Sequence, residues 1–395
     1  MLVGIKIRLK PTPEQEILFR KSAGVARWAY NYYLSENERV YKEYLENGKT
    51  GKKYISEKEV RKYINNVLKR TTHTWLNEVG SNVMKQGVKD ADIASKRYFQ
   101  GISGKPKYKA KHKTEPKFYV NYESLSRKDG GFRGEKIGFV KTCEPLPKLP
   151  KGQKYSNPRI SFDGKYWYLS IAYEIPDINC EQTGKIIGID LGIEKLAVCS
   201  DTKIYKNINK TKEVRRLEKV LRREQRKLSR IIENNISGYE IIDGKRMPIF
   251  IKPLYECKNF LKQKRKVKLL YRRLTNIRND YLHKTTTEIV KTKPSRIVME
   301  TLNVKGMMKN RHLARAIQNQ KFYEFERQIA YKCEKYHIEF VRVPMFYPSS
   351  KICSCCGNIK KDLKLSDRTY KCSKCGLSID RDFNASLNLA NYKSV

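Results

Sequence analysis

The sequence predicts a multi-domain α+β protein, in which a helical region, a strand-rich region and an α/β region follow one another. Three patterns support this fold class. Helical periodicity runs over residues 12–99, and short alternating runs separated by Pro and Gly occupy 118–174. From Lys185 onward, short apolar strands alternate with amphipathic helices, as in an α/β domain. A chain of 395 residues is long enough for two or three such domains.

The first hundred residues predict one strand followed by helices. Residues 2–9 alternate apolar and basic side chains, as a half-buried strand does. Thr12, Pro13 and Gln15 then form a helix-start signal, in which Thr12 caps the helix and Gln15 lies three positions on. Helical spacing continues from there, and residues 81–99 predict a second amphipathic helix.

A Gly- and Lys-rich connector, residues 101–113, follows the helical region and has too few apolar residues for a core. Its lysines alternate with small or aromatic residues, a pattern suited to tracking a phosphate backbone. The alternative interpretation is a solvated linker. The candidate phosphate contacts in the connector are Lys105, Lys107, Lys109 and Lys111. Residues 118–174 then predict a β-barrel-like region, and 176–184 predict a linker.

The second half predicts four buried strands and four helices. The predicted strands are 186–190, 194–200, 296–300 and 338–343. The predicted helices are 213–232, a second basic helix that Pro294 ends, 314–336, and a last one from Asn384. Residues 236–253 between the two basic helices look irregular.

The charge of the chain predicts a polyanionic partner. Lys and Arg number 84 against 41 Asp and Glu, a formal net charge of +43 that is spread along the whole sequence. Such an excess repels itself unless a long nucleic acid neutralises it. A ribosomal or other purely binding protein fits the charge equally well. No apolar run approaches the roughly 20 residues of a membrane span, and the amino terminus does not look like a signal peptide, so an intracellular protein is expected.

Cysteine spacing is the most specific local signal. Cys353 and Cys356 form one CxxC knuckle, Cys372 and Cys375 form another, and a glycine follows each knuckle. Four thiolates at this spacing match the tetrahedral coordination of a structural Zn²⁺ site. Cys355 is expected to be a free cysteine in the loop. The other five are expected to be small core residues: Cys143, Cys180, Cys199, Cys257 and Cys333.

Four acidic residues lie where predicted strands end or a helix starts. Asp190 ends the strand 186–190, Glu300 ends the strand 296–300, and Asp380 and Asp382 precede the last helix. Carboxylates at strand ends meet at the carboxyl edge of an α/β sheet, where they can hold two Mg²⁺ or Mn²⁺ ions about 4 Å apart. Taken singly, each acid also fits a strand-end turn or a helix cap. Together they follow the order expected of an RNase H-like nuclease.

Several motifs resemble one known family over the whole chain. They include Gly188-Ile-Asp190-Leu-Gly192, Val298-Met-Glu300-Thr-Leu-Asn303, and Asp380-Arg-Asp382-Phe-Asn384-Ala385, together with the double CxxC. The opening Arg8-Leu-Lys-Pro11 and Ala26-Arg-Trp-Ala-Tyr30-Asn31 also match. In this combination and order the chain resembles TnpB, the OrfB product of small insertion sequences, and is similar to the compact type V CRISPR effectors. Residues 236–260 look longer than the corresponding segment of that family, so an extra hairpin is expected there.

The resemblance implies an RNA-guided DNA endonuclease with a RuvC-like active site. It assigns the catalytic acids to Asp190, Glu300 and Asp382, with Asp380 left to cap the last helix. It also implies Mg²⁺ or Mn²⁺ in the nuclease site and structural zinc at the four cysteines. The implied domains are a wedge domain of residues 1–10 and 101–180, a helical recognition domain of 11–100, and a RuvC-like domain of 185–395 with a zinc ribbon at 348–378.

The implied partners are a guide RNA from the transposon end and double-stranded target DNA, in the cytoplasm or nucleoid of a prokaryotic cell. Lys85, Gln86 and Lys89 are candidates for reading the short adjacent DNA motif, although lysines on a helix face are usually solvated. Whether the working unit is a monomer or a dimer stays open. Two alternative functions also stay open: a guide-dependent DNA-binding protein without cleavage, and a transposase or junction resolvase.

Overall fold

The computed structural model describes residues 1–176, 180–242, 244–364 and 366–393. These residues form two compact units, Met1–Ile175 and Pro176–Val395. Residues 177–179 of the predicted linker lie outside the described residues. Among the helices of the described ranges, none combines the length and the apolar character that a membrane crossing requires.

The first and last helices of the first unit begin where the sequence predicts, and the second was not predicted as a separate helix. The helices are α1 (Pro13–Glu46), α2 (Glu57–Tyr63) and α3 (Ser81–Phe99), with a π-helical turn at Ile64–Leu68 and a 3₁₀ turn at Thr74–Glu78. The predicted capping box is confirmed, because the Thr12 hydroxyl accepts from the Gln15 amide and the Gln15 side chain accepts from the Thr12 amide. The predicted bounds of α3 are confirmed as well.

The strands of the first unit form one antiparallel sheet in the order β2-β6-β7-β1-β5-β4-β3. They are β1 (Leu2–Lys10), β2 (Lys117–Tyr119), β3 (Ser126–Lys128), β4 (Gly131–Gly134), β5 (Gly138–Thr142), β6 (Ser156–Phe162) and β7 (Trp167–Glu174). β1 pairs with β7 along most of its length and with β5 at its end. The pairing therefore joins the amino-terminal strand to the 117–174 region, while β2 and β3 are the two sheet edges.

A mixed five-stranded sheet forms the centre of the second unit, in the order β10-β9-β8-β13-β14. The strands are β8 (Ile186–Leu191), β9 (Lys195–Cys199), β10 (Ile204–Lys206), β13 (Arg296–Glu300) and β14 (Glu339–Val343). β8, β9 and β10 are antiparallel neighbours, whereas β8, β13 and β14 run parallel. Four strands lie close to their predicted positions, and β10 was not predicted.

The helices of the second unit flank this sheet and extend from it. They are α4 (Lys212–Glu233), α5 (Lys258–Lys291), α6 (Val304–Met307), α7 (Arg311–Gln320), α8 (Phe322–Lys335) and α9 (Arg381–Ala390). Alternate strand residues, such as Ile187 and Ile189, share a core with residues of α5 and α8. Val298 and Val343 share a separate core with Leu389 of α9. The sheet is therefore covered by α5 and α8 on one face and by α9 on the other.

The segment between the two basic helices forms a hairpin of β11 (Ile236–Ile242) and β12 (Lys245–Phe250). The expectation that 236–253 are irregular was therefore wrong, whereas the extra hairpin expected within 236–260 is confirmed. One further expectation for the second half was wrong. The predicted helix 314–336 is instead two helices, because Lys321 adopts a left-handed conformation with φ of 56°. This break allows Gln320 to donate to the Gly192 carbonyl while Phe322 enters the core.

The isolated cysteines differ from one another in burial. Cys199 and Cys333 are buried core residues, as expected. Cys143, Cys180 and Cys257 are only partly buried, so the prediction that they are core residues was wrong. Cys143 instead lies 2.9 Å from Nε of Arg8, which donates to its sulfur.

Candidate functional site

Asp190 and Glu300 lie side by side at the carboxyl ends of two parallel strands. The register of β8 and β13 runs up to Ile189 opposite Met299, and the two acids are the next residues on each strand. Neighbouring strands are about 4.8 Å apart, and successive side chains alternate between faces. Since Ile189 and Met299 face α5 and α8, Asp190 and Glu300 belong to the opposite face, which α9 covers.

Gly188 brings α9 onto this face. A Cβ atom on Gly188 would lie 2.0 Å from the Ser386 carbonyl oxygen and 2.4 Å from the Ala390 nitrogen, so the helix backbone occupies the space of a side chain. Only glycine permits this approach. Asp382 lies in the first turn of α9, so the helix brings the third carboxylate to the face that holds Asp190 and Glu300.

The electrostatics of the site show that the three carboxylates interact. Burial raises the pKa of Asp190 well above its usual range, and the charges of Glu300 and Asp382 raise it further. Burial also raises the pKa of Glu300 to about 7, against a backbone hydrogen bond at Leu191 that favours the charged form. Like charges held together in a partly buried site are stabilised by cations, and carboxylate oxygens are ligands of hard divalent cations.

The two acids near the start of α9 have different partners. Asp380 caps the helix, because its Oδ1 accepts from the amides of Asp382 and Phe383 at 3.0 Å each. Its Oδ2 accepts from Lys195 at 3.1 Å. Asp382 is paired with Arg381 at 3.1 Å, and its charge raises the pKa of both Asp190 and Glu300. Asp380 therefore has a capping role, and Asp382 is the better candidate ligand.

The four knuckle cysteines form the tightest candidate metal site. Within the described ranges, one group of His, Cys, Asp or Glu side chains has all of its ligand atoms within 4.8 Å of one another, and it consists of Cys353, Cys356, Cys372 and Cys375. The ligand atoms of the three carboxylates are more widely spaced. The Sγ–Sγ distances are 3.6 Å for Cys353–Cys375 and for Cys356–Cys372. A tetrahedron of ~2.3 Å zinc–sulfur bonds has edges of about 3.8 Å, so the quartet fits Zn²⁺.

The local backbone explains how the knuckles hold this geometry. Gly357 and Gly376 have φ of 74° and 75°, and each donates its amide to the carbonyl of the first cysteine of its knuckle. Backbone hydrogen bonds at Cys375 and Lys374 lower the pKa of Cys372 to about 6, which favours the thiolate that a metal requires. Cys355 is exposed and lies outside the quartet, as predicted.

The cysteine region is joined directly to α9. The strand β15 (Thr369–Lys371) pairs with β16 (Ser378–Asp380), and α9 begins at the next residue. Asn384 of α9 donates to the Ile352 carbonyl at 2.7 Å and accepts from the Ser354 amide at 3.0 Å. The first knuckle is therefore hydrogen-bonded to the helix that bears Asp382.

The predicted contacts on α3 have mixed surroundings. Lys85 is partly buried, and Lys89 is exposed. Gln86 donates to Asp90 at 2.8 Å, and Asp90 forms a two-pronged pair with Arg159 at 2.6 and 2.8 Å. Gln86 thus belongs to a cavity of about 380 Å³, whereas Lys89 lies outside it.

The predicted connector lysines also differ from one another. Lys105, Lys107 and Lys111 are exposed, and Lys105 lies 3.9 Å from Glu38. Lys109 is partly buried, with its Nζ 3.5 Å from the centre of the Tyr30 ring, and burial lowers its pKa. Of these four, Lys109 alone lines the same cavity as Gln86.

The sequence did not single out three further cations that line this cavity. They are Arg27, Lys117 and Arg159, which come from α1, β2 and β6. Burial lowers the pKa of Arg27 and of Lys117. The cluster could not be predicted from the sequence because its three residues are far apart along the chain, although Arg27 belongs to the family motif at residues 26–31.

Three protein-family models match the chain in sequence order. A model described as "Helix-turn-helix domain" matches residues 1–46, one described as "Probable transposase" matches 170–311, and one described as "Cas12f1-like, TNB domain" matches 322–389. The first and second belong to the OrfB group of insertion-sequence proteins. All of the candidate acids and cysteines lie within the second and third matches.

Curated relatives match nearly the full length. The chain is 27% identical to "Putative RNA-guided DNA endonuclease InsQ" of Escherichia coli, over 98% of this chain and 91% of that one. It is 28% identical to a "Putative RNA-guided DNA endonuclease" of Streptomyces pristinaespiralis, over 98% and 88%.

A solved structure shares the fold. The protein in the cryo-EM structure of the Cas12f1-sgRNA-target DNA complex superimposes with a TM-score of 0.56, at 15% identity, over 99% of both chains. The family models, which match in sequence order, the curated relatives and this shared fold agree with the resemblance found in the sequence. The chain is similar to the OrfB proteins of insertion sequences and to relatives named as putative RNA-guided DNA endonucleases.

Proposed function

We propose that the chain is an RNA-guided DNA endonuclease that cleaves target DNA next to a short adjacent motif, by metal-dependent phosphodiester hydrolysis. The observation that carries the proposal is the convergence of Asp190, Glu300 and Asp382 on the α9 face of the central sheet. The sheet order and strand directions support an RNase H-like, RuvC-type domain. The names of the two curated relatives support the guided activity.

In this proposal the three carboxylates hold two Mg²⁺ or Mn²⁺ ions. Two such ions supply a water of lowered pKa and charge stabilisation at the leaving oxygen. Asp190 lies on the central strand β8, and the charges of Glu300 and Asp382 both act on it, so the three side chains would hold the ions together. The repulsion among the three acids is the charge that the cations would neutralise.

The remaining domain assignments are part of the same proposal. Residues 1–10 and 101–180 would form a wedge domain, 11–100 a recognition domain and 185–395 the RuvC-like domain, with a zinc ribbon at 348–378. The net charge of +43 would be balanced by a guide RNA from the transposon end and by target DNA. Lys85, Gln86, Lys89 and the connector lysines are the proposed contacts of the first unit with nucleic acid.

The test is to purify the protein from its native-locus context, sequence the bound RNA, and assay Mg²⁺-dependent plasmid cleavage programmed by that RNA. We expect one discrete RNA and guide-matched cleavage that Asp190→Ala abolishes without loss of RNA binding. Tight guided binding without cleavage by the unmodified protein would indicate the non-cleaving DNA-binding alternative. Cleavage of branched DNA after removal of the RNA would indicate a resolvase.

A further inference from the structure

A cavity of about 480 Å³ lies between α1 and α2 in the first unit. Its size is within the range of about 300–1,000 Å³ that is typical of small-molecule sites. Tyr32, Glu36 and Arg39 of α1 line it, together with Glu59 and Tyr63 of α2. It shares no lining residue with the Gln86 cavity.

One wall of this cavity is the end of an aromatic stack. Tyr32 stacks on Trp28 with ring centres 5.1 Å apart and an interplanar angle of 18°. Trp28 in turn contacts His73 at 5.0 Å and meets Trp75 edge-on at 5.5 Å. A flat ligand placed against Tyr32 would extend this stack by one ring.

The second aromatic residue of the cavity, Tyr63, is held in an exposed position. It is 48% exposed, and the π-helical turn that follows it buries Ile64 and Leu68. Turns of this kind occur frequently at functional sites. Burial raises the pKa of Tyr32 to about 12, and the charges of Glu36 and Tyr63 raise it further.

The framework of the cavity is fixed by local hydrogen bonds. The Ile55 amide donates to Asn37 of α1 at 3.1 Å, which ties the start of α2 to α1. Ser56 and Glu59 then form a capping box. A ligand therefore meets a preformed site and need not order the surrounding backbone.

The polar rim favours the edge of a base over a phosphate. Glu59 is engaged by Lys52 and by its capping box with Ser56, whereas Glu36 lines the cavity with its Oε2 paired to Arg39 at 2.9 Å. Arg39 also pairs with Glu43 at 2.6 Å, so its charge is shared by two carboxylates. A guanidinium shared in this way is a poor partner for a phosphate, whereas a carboxylate accepts readily from the exocyclic amino group of cytosine.

We propose that this cavity binds an unpaired nucleobase bearing an exocyclic amino group, stacked against Tyr32 and Tyr63 and read by Glu36. The inference rests on the proposed function for its partner, since the base would come either from the guide RNA or from an unpaired DNA strand. Base–aromatic stacking accounts for most of the binding, and the carboxylate selects cytosine over uracil or thymine.

The probes are ten-nucleotide oligocytidylate and oligouridylate strands, each as RNA and as DNA, titrated against the full-length protein. Cytosine and uracil strands carry the same backbone charge, so the difference between them isolates the base-specific part. We expect the unmodified protein to bind oligocytidylate more tightly than oligouridylate. Tyr32→Phe should keep this preference, because phenylalanine keeps the stacking ring. Tyr32→Leu and Tyr63→Leu should weaken oligocytidylate binding roughly 5- to 100-fold. Glu36→Gln should abolish the cytosine preference alone.

Tyr41→Leu is the matched control, because Tyr41 is also on α1, is 45% exposed and lies outside the cavity lining. It should bind as the unmodified protein does. Equal affinity for cytosine and uracil strands, or equal effects of Tyr32→Leu and Tyr41→Leu, would overturn the inference. Because Tyr63 is exposed, its substitution keeps the test valid if Tyr32→Leu fails to fold.

The sugar of the tighter-binding strand distinguishes the source, with ribose indicating the guide and deoxyribose the DNA. The same preparations are assayed for guided cleavage. Normal cleavage without a cytosine preference would overturn this inference alone. A cytosine preference without any guided cleavage would overturn the proposed function alone.

Discussion

A Cβ atom on Gly188 would lie 2.0 Å from the carbonyl oxygen of Ser386, so strand β8 and helix α9 are in backbone contact beside the candidate active site. This contact fixes the distance between the strand that bears Asp190 and the helix that bears Asp382.

Gly188→Ala should force α9 away from the sheet. We expect a loss of about 1–3 kcal/mol in the free energy of unfolding, the usual range for overpacking, together with loss of cleavage. Gly4→Ala is the control, because Gly4 is also in a strand and a Cβ there would meet nothing within 4 Å. Chemical denaturation and a cleavage assay on both variants provide the measurement. If Gly188→Ala and Gly4→Ala have the same stability and the same cleavage rate, the contact between β8 and α9 does not constrain the position of α9.

A comparison of Asp382→Asn with Asp380→Asn should distinguish the proposed metal ligand from the residue that caps α9. Asp382→Asn removes a proposed metal ligand and should lower cleavage by more than about 100-fold, the loss typical of removing one charge-stabilising group. Asp380→Asn keeps a good capping residue and loses only a partly exposed ion pair with Lys195, so it should retain cleavage and stability. Initial cleavage rates under saturating Mg²⁺ measure both. The reverse ranking would mean that Asp380 is the ligand.

Cys353→Ser or Cys372→Ser should release bound zinc and unfold the cysteine region, since the remaining three thiolates cannot complete a tetrahedron. Mass spectrometry should show about one zinc per unmodified chain and clearly less in these variants. Cys355→Ser is the internal control, because Cys355 belongs to the same knuckle and is not part of the quartet. Unchanged zinc content in Cys353→Ser would rule out the proposed ligand set.

The buried lysine Lys332 should make stability increase with pH. Its Nζ donates to the His283 carbonyl and to the hydroxyls of Thr286 and Thr287, and burial lowers its pKa to about 8 from 10.5. Between these values the unfolded chain binds more protons than the folded one, so unfolding becomes less favourable as pH rises. The full effect is about 3 kcal/mol.

Denaturant titrations between pH 7 and pH 10 test this prediction for Lys332. The Lys332→Met variant should show a flatter dependence than the unmodified protein. Lys335→Met, at the end of the same helix and partly exposed, should keep the original slope. If Lys332→Met and Lys335→Met give the same slope, Lys332 is not the group responsible.

Local sequence signals predicted the parts of the site that lie on regular elements. Asp190 and Glu300 each end a short apolar run whose length and flanking residues are typical of a buried strand. The cysteines were predictable because metal ligation imposes its spacing on the sequence. The choice of Asp382 over Asp380 came from the family resemblance, and the capping geometry of Asp380 agrees with it.

The features that were missed depend on contacts between distant residues. Lys321 interrupts a helix without any Gly or Pro, because the side chain of Gln320 and the ring of Phe322 both have partners elsewhere in the fold. The cavity cations Arg27, Lys117 and Arg159 likewise come together only through packing. The residue pattern did not reveal the strands of the β11–β12 hairpin, because β11 is mostly exposed and no buried alternation marks it; only the length of the segment relative to the family indicated a hairpin.

The junction between β16 and α9 has a consequence for how the protein matures. Only Arg381 separates the last strand of the cysteine region from Asp382, and Asn384 ties the first knuckle to the same helix. If the quartet holds zinc, the contact of Gly188 with Ser386 would keep α9 on the sheet before the metal binds, but the first turn of the helix would lack its second anchor. Zinc binding after synthesis would then complete the position of Asp382 beside Asp190 and Glu300.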